Sequence, residues 1–105
     1  MKTVEVVRVY MTEREHELQP VLRCLHDECH VRGVTVFRAI SGFGSSGRVH
    51  EARWTDLSLD LPLVVEFFEV PERAAAARAA LGALVPRDHM VYWQATADGH
   101  QEAED

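Results

Sequence analysis

At 105 residues, 47% of them hydrophobic, the chain is long enough to bury one core without disulfide or metal staples. No apolar run approaches the roughly 20 residues of a membrane span, so direct membrane insertion is not expected. The net charge of −6 argues against a nucleic-acid binder, which needs a basic face to displace condensed counterions.

The first residues, Met1 to Glu5, lead straight into a strand pattern containing an acid. No signal peptide is expected, and the cytoplasm is the default location. Residues 1–96 read as one domain. Residues 97–105 hold Asp98, Glu102, Glu104 and Asp105 with Gly99 and His100, lack apolar periodicity, and read as an acidic disordered tail.

In chain order, Val4 to Tyr10 is β-branched and bounded by polar residues, hence a strand. Thr12-Glu13-Arg14-Glu15 fits a capping box, and Pro20 suits a first helical turn, so the following helix has two open starts, near Glu13 and near Gln19. Leu18, Val21, Leu22, Leu25 and Cys29 then follow helical spacing, with Gly33 as the stop. Val34 to Ile40 and Leu63 to Val70 are the second and third strands. Pro71-Glu72-Arg73 opens a second helix, with proline at the first position and an acid near the positive end of the dipole, and its alanine-rich body runs to Leu84. Val85 to Asp88 breaks it, and Met90 to Ala95 is the fourth strand.

The order β-α-β-β-α-β predicts an α+β, ferredoxin-like fold: a four-stranded antiparallel sheet with both helices on one face. Right-handed crossovers place the first and third strands in the middle. With period two, Val4, Val6, Arg8 and Tyr10 share one face of the first strand, Val34, Val36, Arg38 and Ile40 one face of the second, and Val64, Glu66, Phe68 and Val70 one face of the third. Each row is mostly apolar with one charge, and an Arg8-Glu66-Arg38 group is expected if register permits. If these rows lie opposite the helices, they imply burial against other subunits. The alternative is that they form the helix-covered face.

Between the second and third strands, Ser41 to Leu61 is far longer than the roughly two to five residues a hairpin needs. It carries three glycines, four serines, two arginines, a histidine and a tryptophan, and is the place to expect a ligand or partner. Gly42-x-Gly44-x-x-Gly47 matches a dinucleotide fingerprint by letter. However, Arg48 to Asp56 offers no apolar helix face to follow it, so a dinucleotide fold is not expected. The glycines leave backbone N–H groups for an anion, and Arg48 supplies charge.

Three other constellations are weighed. His26 and His30 would lie one turn apart on a helix and could share a metal, whereas Cys24 and Cys29 would lie about 140° apart around the axis. A disulfide within one helix at that spacing is geometrically poor. Ser45, Ser46 and His50 share the long loop without a third group to orient a base. Glu66 and Glu69 alternate across a strand and are not a carboxylate pair.

Gly33-x-Thr35-Val36, Gly42-Phe43-Gly44-x-x-Gly47-Arg48 and Asp60-Leu61-Pro62-Leu63-Val64-Val65-Glu66 resemble the PII signalling proteins, and more closely a bacterial PII-like family of unknown function, over residues 3–96. The resemblance implies a non-enzymatic regulatory protein that assembles as a homotrimer through its sheets. It further implies that Ser41 to Leu61 is a T-loop-like arm that docks on transporters, channels or enzymes, with an adenine nucleotide in the cleft between subunits at its base. The sequence departs from PII proteins at several points. The glycine-rich, lysine-containing phosphate loop is replaced by Val85-Pro86-Arg87-Asp88-His89, and the lysine after the arm by Leu63 and Val64. Ser45-Ser46 stand where a glutamine helps hold magnesium and 2-oxoglutarate, and the arm's modified tyrosine is missing. The ligand-binding set expected is therefore Arg38, Gly42, Phe43, Gly44, Ser45, Ser46, Gly47, Arg48, Arg87 and His89, in which Arg38, Arg48, Arg87 and His89 supply alternative phosphate contacts. Two rival readings are a small enzyme using His50 or His89 at the cleft, and a metal-responsive protein built on His26 and His30.

Overall fold

The computed structural model describes residues 1–12, 18–43, 49–51 and 62–99. In chain order these form β1 (Lys2–Thr12), α1 (Leu18–Arg23) continued by a π turn (Cys24–Glu28), β2 (Thr35–Arg38), β3 (Ser41–Phe43), β4 (Val49–Glu51), β5 (Pro62–Glu69), α2 (Pro71–Leu81), a 3-10 turn (Arg87–His89) and β6 (Met90–Ala97). The main sheet is antiparallel in the order β2-β5-β1-β6, with the first and third expected strands in the middle. This is the expected ferredoxin-like arrangement. β3 and β4 form a separate two-stranded ribbon inside the long connection, which the sequence pattern did not reveal.

Alternation in β1 and β5 builds the core. Val7, Val9 and Met11 of β1 and Leu63, Val65 and Phe67 of β5 point to the helix side and are buried there. Helix α2 lays Ala74, Ala77 and Leu81 on them, spaced three and four residues apart so that all face one way. Alanines at the contact let the helix backbone approach the sheet closely. Pro71 opens α2 as expected, but the helix ends at Leu81, three residues before the expected Leu84. The Gly82 N–H closes it on the Arg78 carbonyl (3.0 Å), and the Leu84 and Val85 N–H groups both return to the Leu81 carbonyl (2.8 and 3.1 Å), folding Val85 into the core.

The first helix departs further from expectation. Leu18 is already helical, one residue ahead of the Gln19 start, and the start near Glu13 lies outside the described residues. From Cys24 the helix widens into a π turn, in which the Cys29 N–H donates to the Cys24 carbonyl at 3.0 Å. The turn has one more residue than an α turn. Cys24 and Cys29 therefore fall on one side of it, and the 140° separation expected for an α-helix does not apply. His30 follows in the left-handed region (φ 55), beyond the helical end. His26 and His30 are thus not a helical pair one turn apart.

Register corrects one face assignment. Thr35 pairs with Glu66, Val36 with Val65, Phe37 with Val64 and Arg38 with Leu63. Thr35 and Phe37 therefore share a face with Glu66 and Val64, while Val36 and Arg38 belong to the helix side. Val34 packs against the core and fixes this parity, and a one-residue difference swaps every side chain of a strand. Arg38 consequently cannot join Arg8 and Glu66.

Two buried acids lie within the helix layer. Glu5 of β1 is directly opposite Glu69 of β5, at 8% and 0% exposure. Arg78 of α2 answers Glu5 through its Nε, and its Nη2 lies 3.4 Å from Glu5 Oε1. Glu69 Oε2 accepts the Arg32 backbone N–H at 2.9 Å, and the Arg32 and Arg73 guanidinium groups stand 3.6 and 3.8 Å from its oxygens. Arg78→Met would leave Glu5 buried without its cation and should cost about 3 kcal/mol, with Glu5→Gln/Arg78→Met recovering part of the loss. Urea denaturation of the three proteins measures both numbers.

Candidate functional site

The site has two halves, at the base of the arm and at the start of β6. At the arm base, the Ala39 N–H donates to the Pro62 carbonyl at 3.0 Å, pinning the exit of β2 to the entry of β5. Ser41, Gly42 and Phe43 of β3 then pair with Glu51, His50 and Val49 of β4, so the connection leaves the sheet as a narrow ribbon. Gly42 is tightly packed: a Cβ there would meet Pro62 Cγ at 3.0 Å. Of the expected ligand residues, Arg38 ends β2 and is exposed, and Gly42 and Phe43 lie in the ribbon. Gly44, Ser45, Ser46, Gly47 and Arg48 lie outside the described residues.

The other half is the 3-10 turn. The His89 N–H donates to the Pro86 carbonyl at 3.0 Å, and Met90 then continues as β6. This turn exposes Arg87 and leaves the Nδ1 atom of His89 buried without a hydrogen-bond partner among the described residues, with Nε2 4.0 Å from Asp88. A buried nitrogen in that state has unused capacity for a hydrogen bond. Beside the turn is an open hollow of about 370 Å³ lined by Arg78, Arg87, Ala79, Met90 and Tyr92. Within it, the Arg78 guanidinium lies over the Tyr92 ring, 3.8 Å from its centroid. Arg78 and Tyr92 were not singled out from sequence. The signal available was Arg78 flanking the alanine stripe, five residues after Arg73.

The sheet order separates these halves. Thr12 pairs with Pro62 and Val9 with Met90, so the arm base and the 3-10 turn sit at the same end of the sheet. They occupy opposite edges, however, with β5 and β1 between them. Three strand spacings amount to about 14 Å. One chain therefore brings Arg38 and Gly42 together, and separately Arg87 and His89, without closing them around a small ligand.

The sheet face away from the helices is the other candidate surface. It carries Tyr10, Phe37, Phe68, Val91 and Trp93, each between 42% and 52% exposed. Across its middle, Arg8 Nε donates to Glu66 Oε1 at 2.6 Å and the guanidinium stands 5.6 Å from the centroid of the Trp93 ring. Two members of the expected charge group are thus paired; Thr35 of β2 stands opposite Glu66, and Trp93 of β6 flanks Arg8 from the other side. The Glu66 carboxylate raises the pKa of Arg8 through this hydrogen bond, so Arg8 keeps its charge. Among the described residues, no group of three or more His, Cys, Asp or Glu side chains could hold a metal, and His26 Nδ1 is 2.7 Å from Asp27 Oδ1.

Close packing at Gly42 and open space at Gly33, where an added Cβ meets nothing within 4 Å, give paired expectations. Gly42→Ala should cost about 1–2 kcal/mol by forcing Pro62 aside, whereas Gly33→Ala should be neutral or mildly stabilising. Parallel urea titrations distinguish the two.

Comparison with known proteins gives the fold and the family. A UPF0166 protein from Aquifex aeolicus (strain VF5) is 32% identical over 73 residues, spanning 66% of this chain and 70% of that protein. The structure of CPII from Thiomonas intermedia K12, described as a nitrogen regulatory PII-like protein bound to ADP, AMP and bicarbonate, superposes with a TM-score of 0.63 at 17% identity, covering 90% of this chain and 85% of that one. The divalent ion tolerance protein CutA1 from Ehrlichia chaffeensis superposes with a TM-score of 0.62 at 10% identity, covering 99% and 90%. No described helix is long and apolar enough to cross a membrane. The signature residues of the arm and its flanks lie within the match that settles the family: the chain belongs to DUF190 (Uncharacterized ACR, COG1993), whose model matches residues 4–97.

Proposed function

We propose that this chain is a non-enzymatic, PII-like regulatory module that works as a homotrimer, with a small anion such as an adenine nucleotide in the cleft between subunits and the 41–61 arm docking on a partner. The observation that carries this reading is the open sheet face. Five large apolar side chains on one face of a small chain, crossed by a paired arginine and glutamate, form a surface suited to burial against copies of itself. The apolar residues supply the driving force, and the Arg8–Glu66 pair restricts which register satisfies its remaining polar atoms.

The sheet edges support the second part. In a ring of subunits, the arm base on the β2 edge of one can approach the Arg87–His89 turn on the β6 edge of another. Arg38, Arg87 and the His89 nitrogen left without a partner among the described residues then converge from two chains, which the described part of one chain does not arrange. The ADP and AMP held by CPII make an adenine nucleotide the first ligand to test. Binding would shift the arm between two populations only if the nucleotide favours one of them. The arm's partner is proposed to be a protein, with a membrane transporter or channel as one class, and the chain's location to be cytoplasmic. A catalytic role for His50 or His89 is the rival reading. The metal reading loses the helical His26–His30 spacing that motivated it, and a likeness to CutA1 at 10% identity carries the fold alone.

Light scattering on the native protein should give three chain masses, and Phe68→Asp, a change on the exposed face, should give one. A single chain mass for the unaltered protein would remove both the trimer and the intersubunit cleft. Thermal-shift titration with AMP, ADP and ATP should raise the melting temperature, and Arg48→Ala or Arg87→Ala should weaken that shift at least about tenfold in midpoint, equivalent to about 1.4 kcal/mol per lost phosphate contact. A trimer with no shift leaves only the docking role.

A further inference from the structure

The π turn at the end of α1 creates an arrangement that neither the fold nor the proposed signalling role requires. An α-helix would hold Cys24 and Cys29 well apart around its axis. Here the i to i+5 hydrogen bond, Cys29 N–H to Cys24 carbonyl at 3.0 Å, carries the chain once around between them and brings both onto one side. The reversal that follows is fixed. The Val31 N–H donates to the Leu25 carbonyl at 2.9 Å, and His30 occupies the left-handed region (φ 55), as in a helix-terminating motif. Leu25 and Val31 are both buried in the core, so the turn is anchored on either side of Cys29.

We propose that Cys24 and Cys29 are an oxidisable dithiol that closes an intrachain disulfide across the π turn when a peroxide is present. The backbone bond across the π turn sets the two cysteines side by side, and burial, followed by the charge of Cys29, pushes the Cys24 thiol up to about 11. Cys24 is 4% exposed, whereas Cys29 is only partly buried and sits at the surface end of the pair. Roles follow from that asymmetry. The Cys29 thiolate attacks one peroxide oxygen, the O–O bond breaks, and hydroxide leaves to become water, placing a sulfenic acid on Cys29. Cys24 then attacks that sulfur, an S–S bond forms, the S–O bond breaks, and the departing hydroxide takes the Cys24 proton as a second water. The pair loses two electrons and the peroxide gains them. Thiol reductants such as glutathione reverse the step by exchange. The bond would lock the turn that delivers the Arg32 backbone N–H to Glu69 and starts β2, the strand leading to the arm.

The test exposes the reduced, folded full-length chain to hydrogen peroxide, blocks remaining thiols with iodoacetamide, and measures intact mass. The expected product is lighter by two hydrogens, carries no iodoacetamide, runs as a single chain on a non-reducing gel, and returns to the starting mass with dithiothreitol. Cys29→Ser should show no such product, and Cys24→Ser should instead accumulate oxygen on Cys29; Cys24→Ala serves if the serine is not tolerated in the core. Wild-type protein that gains oxygen on Cys29 while Cys24 stays alkylatable, or that cross-links between chains, overturns the proposal.

Discussion

Two carboxylates facing each other across the central strand pair set the terms for the rest of the molecule. Glu5 and Glu69 are in direct register on the side of the sheet that holds the core. Like charges so placed repel, and removing them from water costs several kcal/mol each unless cations and hydrogen bonds replace the solvent. The fold meets that demand from outside the sheet: Arg78 and Arg73 come from α2, and the Arg32 backbone and side chain from the turn after α1. Helix α2 must therefore sit with its alanine stripe down and an arginine on either flank. A rotation that improved the apolar contact alone would strand one acid. The buried charges fix a docking geometry that alanines, with little shape to interlock, specify only loosely.

That constraint acts on one side of the sheet and leaves the other bare. Both helices are committed to the acid-bearing face, so neither of them covers Tyr10, Phe37, Phe68, Val91 and Trp93. The same commitment governs the ligand residues. Because β2 and β6 are the sheet edges, the arm base and the Arg87–His89 turn are held apart at one end of the sheet, about three strand spacings from each other. The bare face and the divided site are the two features on which the proposed trimer rests.

Elements with strong local patterns were legible in the sequence. The β-branched runs of β1 and β5, and Pro71-Glu72 at the head of α2, located their elements, and the element order alone gave the sheet order. What escaped depended on partners distant in the chain. The parity of β2 is decided by Val34 entering the core, and alternation by itself is symmetric between the two faces. The π turn has no residue signature, so Cys24 and Cys29 read as separated. Glu5 and Glu69 each looked like an ordinary acid in a strand, and only register reveals that they face one another. In the candidate site, Gly42 was legible as the root of the arm, but the reason for its being glycine, the approach of Pro62, is tertiary.

The Arg8–Glu66 pair bears on what kind of surface the bare face is. An apolar patch meant for promiscuous contact does not need an ion pair across its middle, since burying one against a random apolar surface incurs desolvation without compensation. Here the Glu66 carboxylate holds the Arg8 guanidinium, and Trp93 lies within cation–π range of it. The exposed aromatics surround this pair, as expected of a surface that must exclude incorrect registers as well as accept one. A second copy of the chain carries the same pair and the same aromatics. It can therefore satisfy, through a rotation axis, polar atoms that a featureless partner would leave unmet.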